Sequence, residues 1–161
     1  MKETEDLIIR ACNPGDKGNW ITLNREFMAG EIKDASFWNN TDSDPDERFS
    51  RTFEEALQHP ELITLLMIVK GQEAIGFANL MTVFSIWSHG RALILDDLYI
   101  RKAYRGTGYG RMVMRYIEEV GREKAVKRVQ FQAEQSNLGA NLFYKKLGYS
   151  SEPFNFYVKY L

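Results

Sequence analysis

The chain has 161 residues, of which 44% are hydrophobic and 27% are charged, and its formal net charge is -1. This balance is typical of a globular protein and argues against a nucleic-acid-binding protein, which would carry a basic excess. The single cysteine, Cys12, excludes an internal disulfide framework and fits a reducing compartment. No apolar run is long enough to span a membrane, and the N-terminal residues lack the apolar core of a signal peptide. We therefore expect a cytoplasmic protein that does not enter a membrane.

The first part of the chain predicts one strand, two helices and then three strands. Leu7 to Cys12 is apolar enough for a strand, which ends at Pro14. A helix follows that carries Trp20, Leu23 and Phe27. A polar loop over 30–43 precedes a second helix, whose start is predicted at Asp44 to Glu47 by a cap, a proline and two acids. Three β-type segments come next, over 62–69, 74–84 and 91–100.

The second part predicts two helices that alternate with two strands. The helices are expected over 109–120 and from Asn137, and the strands over 128–133 and 155–160. The order is then β-α-α-β-β-β-α-β-α-β, an α/β protein. Because antiparallel strands precede a β-α-β unit, we expect a mixed sheet with helices on both faces. Neither a linker nor a repeat interrupts residues 1–161, so we expect a single domain.

A glycine-rich basic turn follows the strand that ends at Ile100. Gly106, Gly108 and Gly110 allow the backbone to bend sharply and to approach a ligand closely. Arg105 and Arg111 add positive charge, and the helix that follows directs its first amides and its dipole toward the same place. The turn therefore predicts a phosphate-binding site.

Two common phosphate motifs are not met here. A dinucleotide fingerprint needs a glycine where Arg111 stands, and a P-loop needs a Gly-Lys-Ser/Thr sequence that the turn lacks. The pattern that fits is Arg-x-x-Gly-x-Gly, formed by Arg105, Gly108 and Gly110. This pattern resembles the acetyl-coenzyme A signature of the GNAT N-acetyltransferase superfamily. A turn that merely caps a surface helix is the alternative.

A second segment carries the same resemblance. Residues 136–149 resemble the last helix of the GNAT core, with Asn137 at its start, a Phe143-Tyr144 pair within it and Leu147-Gly148-Tyr149 at its end. The resemblance implies the GNAT fold, in which two central strands splay apart around acetyl-coenzyme A, and no metal. The cofactor-binding residues that it implies are Leu98, Tyr99, Ile100, Arg105, Gly106, Thr107, Gly108, Tyr109, Gly110, Arg111, Asn137 and Tyr144. For Asn137, simple capping of the helix is the competing explanation.

The resemblance also indicates two catalytic residues. Tyr144 matches a tyrosine near the thioester, where its phenol would hydrogen-bond or protonate the departing thiolate. A core tyrosine buried by an amphipathic helix is the alternative. Asp96 stands where polyamine acetyltransferases carry a glutamate, and it is a candidate base for an amine that is protonated at neutral pH. Strand alternation would place Asp97 on the opposite face of the sheet, so that one of the two acids has a structural role. Hydrogen bonding at a strand end is the alternative for both acids.

The acceptor is less well defined by the sequence. Aromatic residues mixed with acids near Glu26 and Trp38 would suit a cationic amine, so these two residues and Asp96 are candidates for binding it. Core packing of the aromatic side chains and solvation of the acids is an equally open alternative. The implied function is acetyl transfer from acetyl-coenzyme A to a small-molecule amine. Open alternatives are a protein or peptide N-acetyltransferase, a non-catalytic cofactor sensor and a nucleotide-binding protein. A homodimer is also possible, with the C-terminal strand at the contact.

Overall fold

The computed structural model describes residues 6–34, 36–38 and 46–161. Its strands are β1 (Leu7–Ala11), β2 (Ile63–Lys70), β3 (Glu73–Ser85), β4 (Gly90–Ile100) and β5 (Arg128–Phe131). Its helices are α1 (Lys17–Glu31), α2 (Asp46–Gln58), α3 (Tyr109–Glu123) and α4 (Leu138–Lys146). This order confirms the predicted succession of elements as far as α4. The predicted helix start at Asp44 and Pro45, and most of the predicted polar loop, lie outside the described residues.

The five strands form one mixed sheet in the order β1-β2-β3-β4-β5. The first four are antiparallel neighbours, and a tight turn with Gly71 at φ +61° joins β2 to β3. The backbone N–H of Lys127, just before β5, donates to the carbonyl of Arg91 near the start of β4 at 2.8 Å. The sheet thus confirms the mixed topology expected from the chain order.

Both faces of the sheet are covered by apolar side chains. A cluster built from Trp20, Leu23, Phe53, Phe77 and Tyr99 packs α1 and α2 on one face. Leu65 and Met67 of β2 also belong to this cluster. Leu66 and Ile68, which alternate with them along the strand, are buried too. Side chains that alternate along a strand point to opposite faces, so the second face is covered as well.

Helix α3 buries one side, as its spacing predicts. Tyr109, Val113 and Ile117 are all buried, together with Met114. Gly121, at the end of the same side, lies so close to its neighbours that an added Cβ would be 3.0 Å from Val126 and 3.8 Å from Leu93. The helix therefore packs closely beside β4.

By its internal contacts the chain divides into two compact units, residues 1–130 and 131–161. The second unit contains α4 and the end of β5. The predicted strand over 155–160 is absent: residues 150–161 have no regular secondary structure and are exposed. Its alternating sequence suits a strand, but a strand also needs hydrogen-bonded partners, and sequence alternation does not supply them.

Across the described residues, no helix combines the length and apolar character needed to cross a bilayer. The same part of the chain contains no group of three or more His, Cys, Asp or Glu side chains arranged to hold a metal ion.

Candidate active site

The turn between β4 and α3 has the backbone of an anion-binding loop. Gly106 has φ +77° and Gly108 has φ +91°, a region that residues with a Cβ rarely adopt. An added Cβ would meet nothing within 4 Å at either glycine. Glycine is therefore required here by the backbone conformation and not by a lack of space. The Thr107 hydroxyl donates to the carbonyl of Tyr104 at 2.8 Å and holds the turn closed. The first amides of α3 have no acceptor within the helix, so they are available to an anion.

Arg105 is held by groups of the protein itself. Its Nε donates to the carbonyl of Ile100 at 2.6 Å, and its Nη2 donates to Glu31 at 2.9 Å. The guanidinium also lies 5.5 Å from the centre of the Tyr99 ring. Arg111, by contrast, is exposed on the first turn of α3. A phosphate would therefore compete with Glu31 for Arg105 but would find Arg111 accessible.

The two aspartates of β4 sit at a β-bulge. Asn79 of β3 pairs with Asp97, whereas the next residue, Leu80, pairs with Leu95, so Asp96 is the extra residue. A bulge breaks the alternation of side chains along a strand. Asp96 and Asp97 consequently line the same cavity, and the expectation that Asp97 points to the opposite face is wrong.

The cavity lies between the sheet and helices α1 and α2. Its volume is about 570 Å³, and its walls include the aromatic rings of Trp20, Phe27 and Phe49. Three acids line it, namely Asp96 and Asp97 from β4 and Glu55 from α2. No lysine or arginine is found among the described residues that line it. An aromatic cavity with only acidic charges favours a cationic guest.

Asp97 is the more deeply placed of the two aspartates. Burial raises its pKa to about 6, against the opposing hydrogen bond from Asn79 and with a smaller contribution from the negative charge of Asp96. Asn79 Nδ2 donates to Oδ2 of Asp97 at 2.8 Å, and Asn79 Oδ1 accepts from Trp20 Nε1 at 3.0 Å. Burial also raises the pKa of Asp96, although this residue is more exposed than Asp97. A carboxylate with a pKa near neutrality is suited to proton transfer.

Glu26 and Trp38 are not among the residues that line the cavity. Both oxygens of Glu26 are bound by Arg101, at 2.9 Å to Nε and 2.8 Å to Nη2, and this pair keeps the pKa of Glu26 below its usual value. Trp38 stacks edge-on against Phe37, with 5.0 Å between the ring centres. Glu26 thus has a structural partner, and the acceptor-binding role predicted for both residues stays a prediction.

The second unit holds the other two predicted residues. Tyr144 lies on α4 with its ring centre 4.3 Å from that of Phe131, and burial raises the pKa of its phenol. Asn137 caps the same helix, since its side chain accepts from the amide of Ala140 at 3.1 Å. Gly148, just past the end of the helix, has φ +93°. The capping explanation of Asn137 therefore holds, which leaves its predicted cofactor contact untested.

Sequence reasoning missed Asn79, Asn24 and Glu55 as cavity residues. One signal was available for Asn79, because it is the only polar side chain in the apolar run Ala74 to Met81. A polar residue in a buried strand requires a hydrogen-bond partner, which suggests a site. Glu55 carries no comparable signal, because acids are common on exposed helix faces.

Comparison with known proteins identifies the family. Residues 27–149 match the Acetyltransferase (GNAT) family, a span that includes both the glycine-rich turn and α4. The chain belongs to the GNAT family. It is accordingly an acyltransferase, and the resemblance of the two motifs to this family is confirmed.

Similar GNAT proteins include curated enzymes from animals and yeast. The Thialysine N-epsilon-acetyltransferase of Bos taurus is 25% identical over 142 residues, which cover 88% of this chain and 83% of that protein. The D-amino-acid N-acetyltransferase HPA3 of Saccharomyces cerevisiae is 23% identical over 148 residues, covering 91% and 86%. A solved structure of a possible acetyltransferase from Clostridium difficile 630 has a TM-score of 0.77 at 16% identity, covering 97% and 98%. The structure of Aminoglycoside N-acetyltransferase AAC(6')-Iy in complex with CoA has a TM-score of 0.75 at 19% identity, and the match covers 95% of this chain and 94% of that one. The solved structures confirm the GNAT fold of this chain.

Proposed function

We propose that this protein transfers the acetyl group of acetyl-coenzyme A to a primary amine of a small cationic molecule. The observation that carries the proposal is the acidic, aromatic cavity that ends at Asp96 and Asp97, on the strand that leads into the glycine-rich turn. The names of the similar enzymes, which refer to thialysine and D-amino acids, support an amine acceptor.

The turn fits the diphosphate of coenzyme A. Gly106 and Gly108 both have the positive φ angles that occur in anion-binding backbone nests. We propose that the amides of residues 106–111 bind the diphosphate, that Arg105 and Arg111 neutralise it, and that the backbone of residues 98–100 binds the pantetheine arm. Asn137 and Tyr144 complete the predicted cofactor set. The acetyl thioester is the activated acyl donor of the reaction.

The two aspartates prepare the amine for attack. A primary amine with a pKa near 10.4 is protonated at neutral pH and must lose a proton before its electron pair can form a bond to the acetyl carbon. We propose that Asp96 attracts the ammonium group and that Asp97, the more buried carboxylate, accepts its proton. Asp96 acting alone, or through a water molecule, is the alternative that the sequence suggested. Tyr144 then donates its phenol proton to the departing thiolate.

Thiol release from acetyl-coenzyme A over a panel of amines tests the proposal. The panel holds monoamines, diamines, amino acids, aminoglycosides and peptides with a free N-terminus or lysine. Turnover of small cationic amines supports it, and turnover of peptides alone would favour a protein acetyltransferase. Tight coenzyme A binding without turnover would indicate a sensor, and equal binding of ATP or NAD would indicate a nucleotide-binding protein.

Two further statements belong to the proposal. The whole chain acts as one catalytic domain, and two copies form a homodimer through the exposed aromatic residues of the C-terminal segment. The high exposure of Phe154 and Tyr157, 85% and 86%, supports the second statement.

A further inference from the structure

Three side chains form a hydrogen-bonded chain that ends on the proposed proton acceptor. Trp20 Nε1 lies 3.0 Å from Asn79 Oδ1, and Asn79 Nδ2 lies 2.8 Å from Asp97 Oδ2. The three residues come from α1, β3 and β4, and all of them line the cavity. The hydrogen bonds thus connect a core residue, Trp20, to the carboxylate of Asp97 in the cavity proposed to hold the amine.

The two hydrogen bonds can run in only one direction from donor to acceptor. An indole N–H can donate and cannot accept, so it selects the carbonyl oxygen of Asn79. The amide NH₂ of Asn79 must then face Asp97, where it can only donate. An oxygen that already accepts from the amide is the less favourable place for a proton. Oδ2 of Asp97 is therefore held as an acceptor, and Oδ1 is left for the substrate.

The first member of the chain is fixed by packing. Trp20 is 4% exposed, and its ring centre lies 5.4 Å from Phe53 and 6.2 Å from Phe49. Its backbone carbonyl also accepts from Asn24 Nδ2 at 2.7 Å. The indole consequently has no freedom to turn away, and the orientation of the Asn79 amide is set by the hydrophobic core.

We propose that Trp20 and Asn79 are positioning residues for acetyl transfer, in which the indole fixes the direction of the Asn79 amide and the amide leaves Oδ1 of Asp97 to take the proton of the amine. This inference rests on the proposed function. In the step, an N–H bond of the ammonium group breaks, an O–H bond forms at Oδ1, and the electron pair stays on nitrogen. The neutral amine then has the electron pair that it needs for attack.

Few titratable groups among the described residues surround Asp97. Asp96 neighbours it on β4, and Glu55 of α2 and His59, just after α2, line the same cavity. The described cavity residues of α1, β2 and β3 are uncharged. Loss of the Asn79 hydrogen bond should therefore have a clear effect on the titration of Asp97, because few other charges compensate.

The test compares Asn79→Leu and Trp20→Phe with the intact protein in two measurements. The first is the pH dependence of kcat/KM, and the second is the titration of Asp97 followed by carboxyl carbon-13 NMR. Without the Asn79 amide as a donor, the charged form of Asp97 is less stable. Asn79→Leu should therefore raise the titration midpoint of Asp97 by about one pH unit. Trp20→Phe keeps a ring in the core but lets the amide turn over, so it should raise the midpoint by a smaller amount. The matched control is Val113→Ala, which also truncates a buried apolar side chain but lies outside the cluster that packs Trp20.

The outcomes separate this inference from the proposed function. Upward shifts of the titration midpoint in both Asn79→Leu and Trp20→Phe, with an unmoved midpoint in Val113→Ala, support the positioning role. An unmoved midpoint in Asn79→Leu overturns it, even when amine turnover persists. Absence of turnover in the intact protein refutes the proposed function instead, and the NMR titration still decides whether the chain of bonds controls Asp97.

Discussion

At the scale of single residues, the site depends on a carboxylate that is not fully solvated. Asp97 is half-buried, and its one hydrogen-bond donor among the described residues, Asn79, is too little to offset its burial. The same burial that suits it for proton transfer makes its charged form unfavourable in the folded protein. Function and stability therefore oppose each other at this position.

Replacing Asp97 by asparagine should show both effects. The folded protein favours the protonated acid, so its stabilising contribution is complete below the ordinary pKa of 3.8 and is lost as the pH rises through about 6. The loss amounts to about 3 kcal/mol for a shift of roughly two units. The free energy of unfolding of Asp97→Asn, measured with urea relative to that of the intact protein, should therefore rise by about 2 kcal/mol from pH 4.5 to pH 7.5. At the same time kcat/KM should fall by about 100-fold. A stability difference that does not change with pH would contradict the assignment.

Glu55 offers a test of the acceptor. It lines the cavity on the side of α2 and has no hydrogen bond or ion pair among the described residues. A second positive charge on the substrate would find this acid, so Glu55→Gln should raise KM for a diamine about threefold, as expected of an exposed ion pair. KM for a monoamine of equal chain length should not change. Glu54→Gln is the matched control, because Glu54 is bound by Lys17 and does not line the cavity; equal effects of the two variants would exclude the role of Glu55.

At the scale of elements, two departures from regular structure shape the proposed site, namely the β-bulge of β4 and the turn before α3. The bulge brings Asp96 and Asp97 to one cavity, and the turn exposes the first amides of α3. Between them, the end of β4 approaches β3 very closely: a Cβ on Gly76 would lie 2.3 Å from the carbonyl oxygen of Tyr99. Irregular backbone in the strand thus prepares both halves of the proposed site.

Two glycine-to-alanine changes test the turn. Gly108→Ala places a Cβ at φ +91°, which should cost about 1 kcal/mol of stability and weaken coenzyme A binding several-fold. Gly18→Ala makes the same chemical change within α1, where nothing lies within 4 Å, and it should add about 0.5 kcal/mol. Urea unfolding and calorimetry of coenzyme A binding measure the two quantities. Unchanged affinity in Gly108→Ala would speak against the amides of the turn as the diphosphate site.

At the scale of the whole molecule, the C-terminal segment is notable for its exposed aromatic side chains. Residues 150–161 are exposed throughout and contain four aromatic side chains. Exposed apolar surface of this extent is typical of an interface. It supports the proposed homodimer.

Removal of residues 150–161 should convert a dimer to a monomer. Analytical ultracentrifugation of both forms measures the change, and circular dichroism shows whether the helices persist. The milder double substitution of Phe154→Ser with Tyr157→Ser removes the two most exposed aromatic rings of the segment and should weaken association by at least tenfold, about 1.4 kcal/mol. An intact protein that sediments as a monomer at all concentrations would refute the dimer.

The sequence by itself determined the local features of this protein. The order of helices and strands up to α4, the glycines at φ +77°, +91° and +93°, and the Asn137 cap all follow from short-range rules of backbone geometry and hydrogen bonding. Family membership also followed from two local motifs.

Only the tertiary structure decided which side chains share the cavity. A bulge is a mismatch between two paired strands, so no single strand reveals that Asp97 turns to the side of Asp96. The bond from Trp20 to Asn79 joins residues 59 positions apart, and Glu26 is bound by an arginine 75 positions away. Local sequence patterns have a range of a few residues, whereas charge, burial and proton affinity depend on neighbours that the fold brings from distant parts of the chain.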